Sequence, residues 1–292
     1  MRERERERER ESNFLSNEFI RKIKKILKQL IPPIIFSSIK NKTNNQIYNT
    51  YAEALQDCQD GYESTDLVEV VVEKSKRFNS SIKKNPILDL GTLRTIIGIG
   101  LVKNKSKLSV IDFGGAGGFH YTLAKIALGN ETVLNWSVVE TTAMMKKAKQ
   151  LENNELKFYD SIHLAQKELV NVDLVFTSGA LHCCPNPTES LEQLININAK
   201  YIFITRTAFN NSSSEIISTQ ISNLSENGEG PLPTGYKNKK LKYPVTFISK
   251  ALVENMLSKK YNIQFTIAED KEIYRVLNKT FDMYGYFCVR KI

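Results

Sequence analysis

The segment Leu108-Ser109-Val110-Ile111-Asp112-Phe113-Gly114-Gly115-Ala116-Gly117-Gly118 constrains the fold of this chain more than any other stretch. Residues 108–113 form a short apolar run suited to a buried strand, ending in an acid and then four glycines in five positions. Residues 122–128 read as a helix stopped by Gly129. Strand, glycine bend and helix in succession make a nucleotide cradle, because glycine tolerates positive φ and lets a ligand lie against bare backbone.

The spacing narrows the choice of nucleotide. A dinucleotide fingerprint, G-x-G-x-x-G, started at Gly115 meets His120 where it needs glycine; started at Gly114 it meets Ala116. A phosphate-binding loop ending Gly-Lys-Ser/Thr is absent. What remains is acid-x-Gly-x-x-x-Gly, with Asp112 at the strand tip. A carboxylate there repels phosphate and suits a cationic, amine-bearing ligand. S-adenosylmethionine (SAM) has an amino group, a sulfonium and no phosphate, and fits this pattern better than a dinucleotide.

Beyond the bend the pattern alternates. Residues 136–140, 156–159, 172–177 and 201–205 read as strands, and 142–151, 162–169 and 190–197 as helices. Helices of this length between strands imply right-handed βαβ crossovers, a mostly parallel sheet and a Rossmann-like α/β fold. Ligands of such sheets sit at the carboxyl ends of the strands. Asp112, Glu140 and Asp160 all fall at such ends. Glu140 is placed to accept hydrogen bonds from both ribose hydroxyls and Asp160 one from the adenine amino group. Gly114 and Gly118 admit the methionine half, and Phe113, Gly115, Gly117 and Ser178 complete the expected cofactor contacts. Two plainer roles stay open: Glu140 as an acid complementing a helix dipole, and Asp160 as a helix N-cap.

Ahead of the bend, the Arg-Glu repeat at 2–11 is low in complexity and cancels in charge. Residues 17–31 alternate apolar and basic side chains at helical spacing and stop at Pro32-Pro33, giving a basic amphipathic helix. It is too short and charged to span a bilayer, and suits peripheral membrane contact, a partner or the chain's own core. Residues 51–58, 65–78 and 88–102 read as helices capping one edge of the sheet. Three regions are therefore expected: a low-complexity and helical extension (1–45), a helical cap (46–105) and a SAM-binding α/β domain (106–292). The net charge of +9 favours anionic partners without selecting one. Without aromatic–basic interleaving or an RNA module, nucleic acid is disfavoured. Cys58, Cys183, Cys184 and Cys288 show no metal or disulfide spacing, which suits a reducing cytoplasm.

Asp112-Phe-Gly-Gly-Ala-Gly-Gly with His120-Tyr121, then Trp136-x-Val-Val-Glu140, resembles a family of class I SAM-dependent methyltransferases associated with surface-polysaccharide gene clusters. Ala52-Glu-Ala-Leu, Gly61-Tyr62, Ser178-Gly-Ala-Leu181, Arg206-Thr207, Gln220, Tyr243-Pro244 and Tyr261 extend the match over about residues 45–290. The resemblance implies a seven-stranded, mostly parallel sheet whose last strand is antiparallel, closed by 261–268 and 284–290. It also implies methyl transfer from SAM but names no acceptor; a small-molecule or glycan acceptor, and work in the cytoplasm or at the inner membrane face, are the expectations set beside it. One departure stands out: Ala116 replaces the middle glycine of the usual triplet, and its methyl group narrows the room above the bend unless Gly117 relaxes the turn.

Methyl transfer is an in-line displacement, so positioning and desolvation supply most of the catalysis. A base is needed when the acceptor is a hydroxyl or protonated amine. His120, just past the bend, is the first candidate and His182 the second. Tyr121 and Arg206 are candidates for orienting the acceptor, Arg206 especially toward phosphate or carboxylate. His163 is expected on the surface. Cys183-Cys184-Pro185 has the wrong order for a thiolate nucleophile, and His182-Cys183-Cys184 cannot readily share a tetrahedral ion, so no metal is expected. The Asn/Asp-Pro-Pro-aromatic run of amino-group enzymes is missing after the fourth strand. The insertion at 209–243, rich in Asn, Ser, Gly and Pro, is expected to be a lid over the acceptor. A non-catalytic binding module of the same fold is the second reading.

Overall fold

The computed structural model describes residues 46–58, 61–81, 88, 90–102, 106–129, 131–269 and 273–292. The Arg-Glu repeat and the expected 17–31 helix lie outside these residues. Three helices come first: α1 (Tyr51–Gln56), α2 (Thr65–Ser81) and α3 (Leu90–Leu101). Thr50 caps α1 by accepting a hydrogen bond from the backbone of Glu53. The alternating core follows as β1 (Lys107–Phe113), α4 (Phe119–Leu128), β2 (Val133–Val139), α5 (Thr142–Ala148), β3 (Leu156–Tyr159) and α6 (Ile162–Glu168). It continues as β4 (Leu174–Ser178), α7 (Pro187–Asn196) and β5 (Tyr201–Asn210). The chain ends with β6 (Ile216–Asn223), β7 (Lys240–Ser249), α8 (Lys250–Lys260), β8 (Tyr261–Ala268), β9 (Tyr274–Val276) and β10 (Lys279–Arg290).

The principal sheet runs β3-β2-β1-β4-β5-β10-β8. Its first five strands are parallel, and β10 is antiparallel to both neighbours. This is the Rossmann-like α/β sheet expected, closed by the expected pair. Strand order reverses between β1 and β4, which opens a crevice outside their carboxyl ends.

Side-chain alternation splits the core into two layers. Val110, Trp136, Val138, Phe158, Phe176 and Phe203 face Val68, Val71 and Val72 of α2, Ile99 of α3, Ala124 of α4 and Met144 of α5. Ile111, Val139, Val175, Ile202 and Ile204 face Ile162 of α6, Leu191 and Leu194 of α7 and Leu257 of α8. Helices α2 and α3 therefore cover a face of the sheet rather than its edge, because their valine and isoleucine stripes need an apolar partner surface. Gly98 lets α3 approach closely, since a Cβ there would lie 2.0 Å from the Phe203 ring.

The 209–243 insertion is more regular than its composition suggests. β6 and β7 pair antiparallel over residues 216–223 and 240–247, and the end of β7 joins β5 in parallel at Phe209–Ile248 and Asn210–Ser249. Ile216, Ser218, Thr219, Gln220 and Ser222 are buried, so polar residues fill much of the inner face and hide the apolar alternation by which strands are recognised. Among the described residues no helix is long and apolar enough to cross a membrane.

Candidate active site

The bend after β1 is built from alternating left-handed residues: Gly114 (φ +75°), Ala116 (+50°) and Gly118 (+77°). Its glycines are required first by the chain itself. A Cβ at Gly114 would sit 2.0 Å from that of Ala180, at Gly115 2.3 Å from Asp112 Oδ2, and at Gly117 2.5 Å from Ser75 Oγ. At Gly118 it would meet Leu156 at 2.8 Å. Ala116 holds its left-handed place with its methyl group packed on the core below, so it does not crowd the space above the bend.

The two acids nearest this bend have different surroundings. Asp112 is fully buried; its carboxylate accepts from Trp136 Nε1 at 3.0 Å and faces His120 Nδ1 with both oxygens at 3.1 Å. Its expected direct contact with a ligand amine is corrected: these partners turn it beneath the bend, where it anchors His120. Glu140, just past β2, is partly exposed. Its Oε1 accepts from the Ala116 N–H at 2.9 Å and its Oε2 from the Thr141 N–H at 3.0 Å. Desolvation holds this carboxyl above its ordinary range, against the pull of the two backbone donors. Each oxygen keeps room for a second donor.

Asp160 is exposed at the end of β3, and Ser161, not Asp160, caps α6 by accepting from the backbone of Leu164. Thr141 likewise caps α5, so neither acid is the capping residue. Phe113 ends β1 and packs on the α6–α8 side, while Ser178 ends β4 opposite Thr205.

His120 lies in the first turn of α4, edge-on to Phe176 at 4.7 Å. With Nδ1 facing Asp112, Nε2 is the ring nitrogen left for other work. Tyr121 departs from its expected role. One residue on, the helix turns it away, and its hydroxyl donates to Glu155 at 2.8 Å, at the opposite end of the sheet. It cannot orient an acceptor at the carboxyl rim.

The short 3-10 turn Leu181–Cys183 after β4 carries the second cluster. His182 is buried, its Nε2 is 3.4 Å from the Tyr274 hydroxyl, and its Nδ1 has no partner. Burial, helped by the nearby Arg206 charge, pushes this imidazole down to about 3. It is a neutral hydrogen-bonding group and too weak a base for the role expected of it. Tyr62 donates to Cys183 Sγ at 2.7 Å, and burial lifts that thiol to about 12 and the Cys184 thiol to about 11, so neither is a thiolate. Gln220 donates to the Tyr62 hydroxyl at 3.4 Å, and Tyr243 lies against the Tyr62 ring at 4.2 Å. The β6–β7 hairpin thereby reaches the end of β4. Among the described residues no three His, Cys, Asp or Glu side chains group to hold a metal. His163 is exposed on α6.

Three features were not anticipated from the sequence. Trp136 holds Asp112, and a buried indole N–H does demand an acceptor. Arg206, inside β5, has φ +52°. Glu269 accepts from its backbone N–H at 2.6 Å.

The donor set fits SAM better than a phosphate ligand. The Ala116 N–H of the bend is bonded to the Glu140 carboxylate, and the Gly114 and Gly118 N–H groups to backbone carbonyls. The carboxylate beside the bend favours a group that brings donors or positive charge.

No protein-family model matches the chain, and no curated protein matches it. The chain is similar in structure to the CcbJ methyltransferase of Streptomyces caelestis, at 9% identity over 68% of this chain and 95% of that one, with a TM-score of 0.44. It is also similar to magnesium protoporphyrin IX methyltransferase of Synechocystis PCC 6803 with bound SAM, at 14% identity over 79% and 93%, with a TM-score of 0.45. A SAM-dependent methyltransferase of Clostridium acetobutylicum gives 11% over 74% and 97%, with a TM-score of 0.42. Likeness at this level leaves the chemistry to be read from the chain's own side chains.

Proposed function

We propose that this chain is a SAM-dependent methyltransferase, with the cofactor over the glycine bend and a small acceptor between the ends of β4 and β5 and the β6–β7 hairpin. The observation that carries the reading is the Ala116–Glu140 bond, which holds a carboxylate beside the glycine bend, where it suits a donor-rich nucleoside better than a phosphate. Bound there, SAM would supply an electrophilic methyl group on a sulfonium.

In this reading Glu140 takes the ribose hydroxyls with its second lone pairs, and Asp160 the adenine amino group. Phe113, Ser178 and the main chain of Gly114, Gly115, Gly117 and Gly118 contact the cofactor. Asp112 holds His120 by Nδ1, so that Nε2 is presented to a proton on the acceptor. His182 and Gln220 offer unpartnered buried atoms that hydrogen-bond the acceptor and exclude water from the reacting pair. The resemblance noted above favours a hydroxyl or amine of a glycan or nucleotide-sugar as acceptor. With the +9 charge, it also favours a cytoplasmic protein working at the inner membrane face through residues 17–31.

Purified protein is titrated with SAM and then supplied with SAM and fractionated acceptors, following S-adenosylhomocysteine. Saturable binding with turnover supports the reading; binding without turnover points to a non-catalytic module. Absence of binding sinks both.

A further inference from the structure

Arg206 is an arginine in an awkward place. It has φ +52° inside β5, a conformation that side-chain-bearing residues avoid. The pairing of β5 with β10 slips there: Ile204 faces Tyr286 and Thr207 faces Tyr284, so two residues of β5 bulge against Gly285 alone. Bulges of this kind re-aim a side chain. A Cβ at Gly285 would lie 2.7 Å from Ile204 O and 3.1 Å from Glu269 Oε1, so only glycine leaves the bulge its space.

Glu269 holds the bulge from the end of β8. Its Oε1 takes the Arg206 N–H at 2.6 Å, while its Oε2 pairs with Arg94 Nη1 of α3 at 2.7 Å. The charge of Glu269 is thus matched by Arg94, and its bond to Arg206 is to the backbone. Among the described residues no carboxylate forms an ion pair with the Arg206 guanidinium. The residue is exposed, and its side chain lies beside the end of β4. A Cβ at Gly179 would lie 3.8 Å from Arg206 Cζ, and the guanidinium acts electrostatically on both His182 and Cys183.

Beside it, His182 Nδ1 is buried without a partner, and the Thr177 and Thr205 hydroxyls at the ends of β4 and β5 are also buried and unpartnered, on opposite faces of the sheet. Thr205 adjoins Arg206, and Thr177 sits opposite Ile204 on the neighbouring strand. Buried polar atoms are rarely left unpaired unless a ligand or water completes them.

We infer that the acceptor carries an anionic oxygen group, a carboxylate or a phosphate, seated on Arg206, and that Glu269 is the residue positioning that arginine. This rests on the methyl-transfer reading above for the word acceptor, but the anion seat stands on geometry of its own. A planar guanidinium answers either anion with two parallel hydrogen bonds. The neighbouring His182, a neutral group, brings no opposing charge.

The test uses full-length protein, with and without S-adenosylhomocysteine, titrated with inorganic phosphate, with acetate and with acetamide. Arginine Nε–H signals are followed by NMR. Phosphate or acetate should saturably move one signal that is missing from Arg206→Gln, and acetamide should not. Glu269→Gln should weaken that anion at least tenfold, about the scale of one charge-assisted hydrogen bond. It should also raise KM for acidic acceptors while leaving SAM affinity unchanged. Arg206→Gly, which relieves the backbone, serves as a folded second variant and should also lose the anion. Anion affinity retained in both Arg206 variants, or acetamide competing equally, would overturn the inference. Anion binding intact in a protein that does not bind SAM would count against methyl transfer alone.

Discussion

Replacing Asp112 by alanine separates an anchoring carboxylate from a ligand-binding one. Asp112 is fully buried and accepts from Trp136 Nε1, in a residue 1% exposed, and from His120, whose side chain is 12% exposed. Without the carboxylate, the Trp136 N–H is left buried and unpaired, at about 1–3 kcal/mol. His120 can turn partly to water, so its loss is nearer ~1 kcal/mol, and the cavity adds ~1 kcal/mol. The sum, roughly 3–5 kcal/mol, is a large part of a typical domain's stability of about 5–15 kcal/mol. At about 2–4 °C per kcal/mol for a chain of this size, the melting temperature should fall by roughly 6–20 °C. Thermal unfolding followed by circular dichroism measures it. Trp136→Phe should cost about 1–2 kcal/mol and be strongly non-additive with Asp112→Ala, because both remove the same bond. A wild-type melting temperature for Asp112→Ala, or additivity of the pair, would refute the buried network.

Three further outcomes are expected. The folded His182 has its pKa lowered from 6.5 to about 3. Below pH 6.5 the unfolded chain therefore takes up a proton that the folded chain refuses, and stability falls with pH by up to about 1.4 kcal/mol per unit toward pH 3. His182→Gln should flatten that limb in urea melts run from pH 4 to 8 and leave the curve above pH 7 unchanged in slope. Lys74, 1% exposed, donates to the carbonyls of Ser225 and Asn227 at 2.8 Å and of Gly228 at 3.2 Å, tying the turn after β6 to α2. Lys74→Met should cost about 2–3 kcal/mol and open residues 227–239 to limited proteolysis. Arg206→Gly should leave stability equal or raise it by up to ~1 kcal/mol, since relief of a left-handed residue offsets the entropy of glycine; a clear loss in thermal melts would contradict the strain.

Elements held by local pattern were legible before any coordinates. Strands β1 to β5 carry apolar runs between helices, and Leu156–Tyr159 is set off by Asn153-Asn154-Glu155 before it and Asp160 after it. Glycines at 114 and 118 do sit at positive φ, and Glu140 does end up at the rim. Harder to read were contacts between elements far apart in the chain. Nothing around Asp112 reveals that Trp136 and His120 will take its carboxylate from opposite sides. Tyr121 follows His120 directly, yet the helical rotation of ~100° per residue sends it to Glu155. The β6–β7 hairpin carries a loop-like sequence because Ser218, Thr219, Gln220 and Ser222 fill buried positions where apolar residues usually signal a strand. The bulge at Arg206 leaves no mark except in hindsight, since its cause, Glu269, arrives more than sixty residues later.

Calorimetric titration of SAM into wild-type and Glu140→Ala protein probes the carboxylate at the glycine bend most directly. One saturable site in the wild type, weakened by about 1–3 kcal/mol in the variant, is predicted from the loss of a charge-assisted acceptor. No SAM binding by the wild type, or equal affinity in Glu140→Ala, would contradict it.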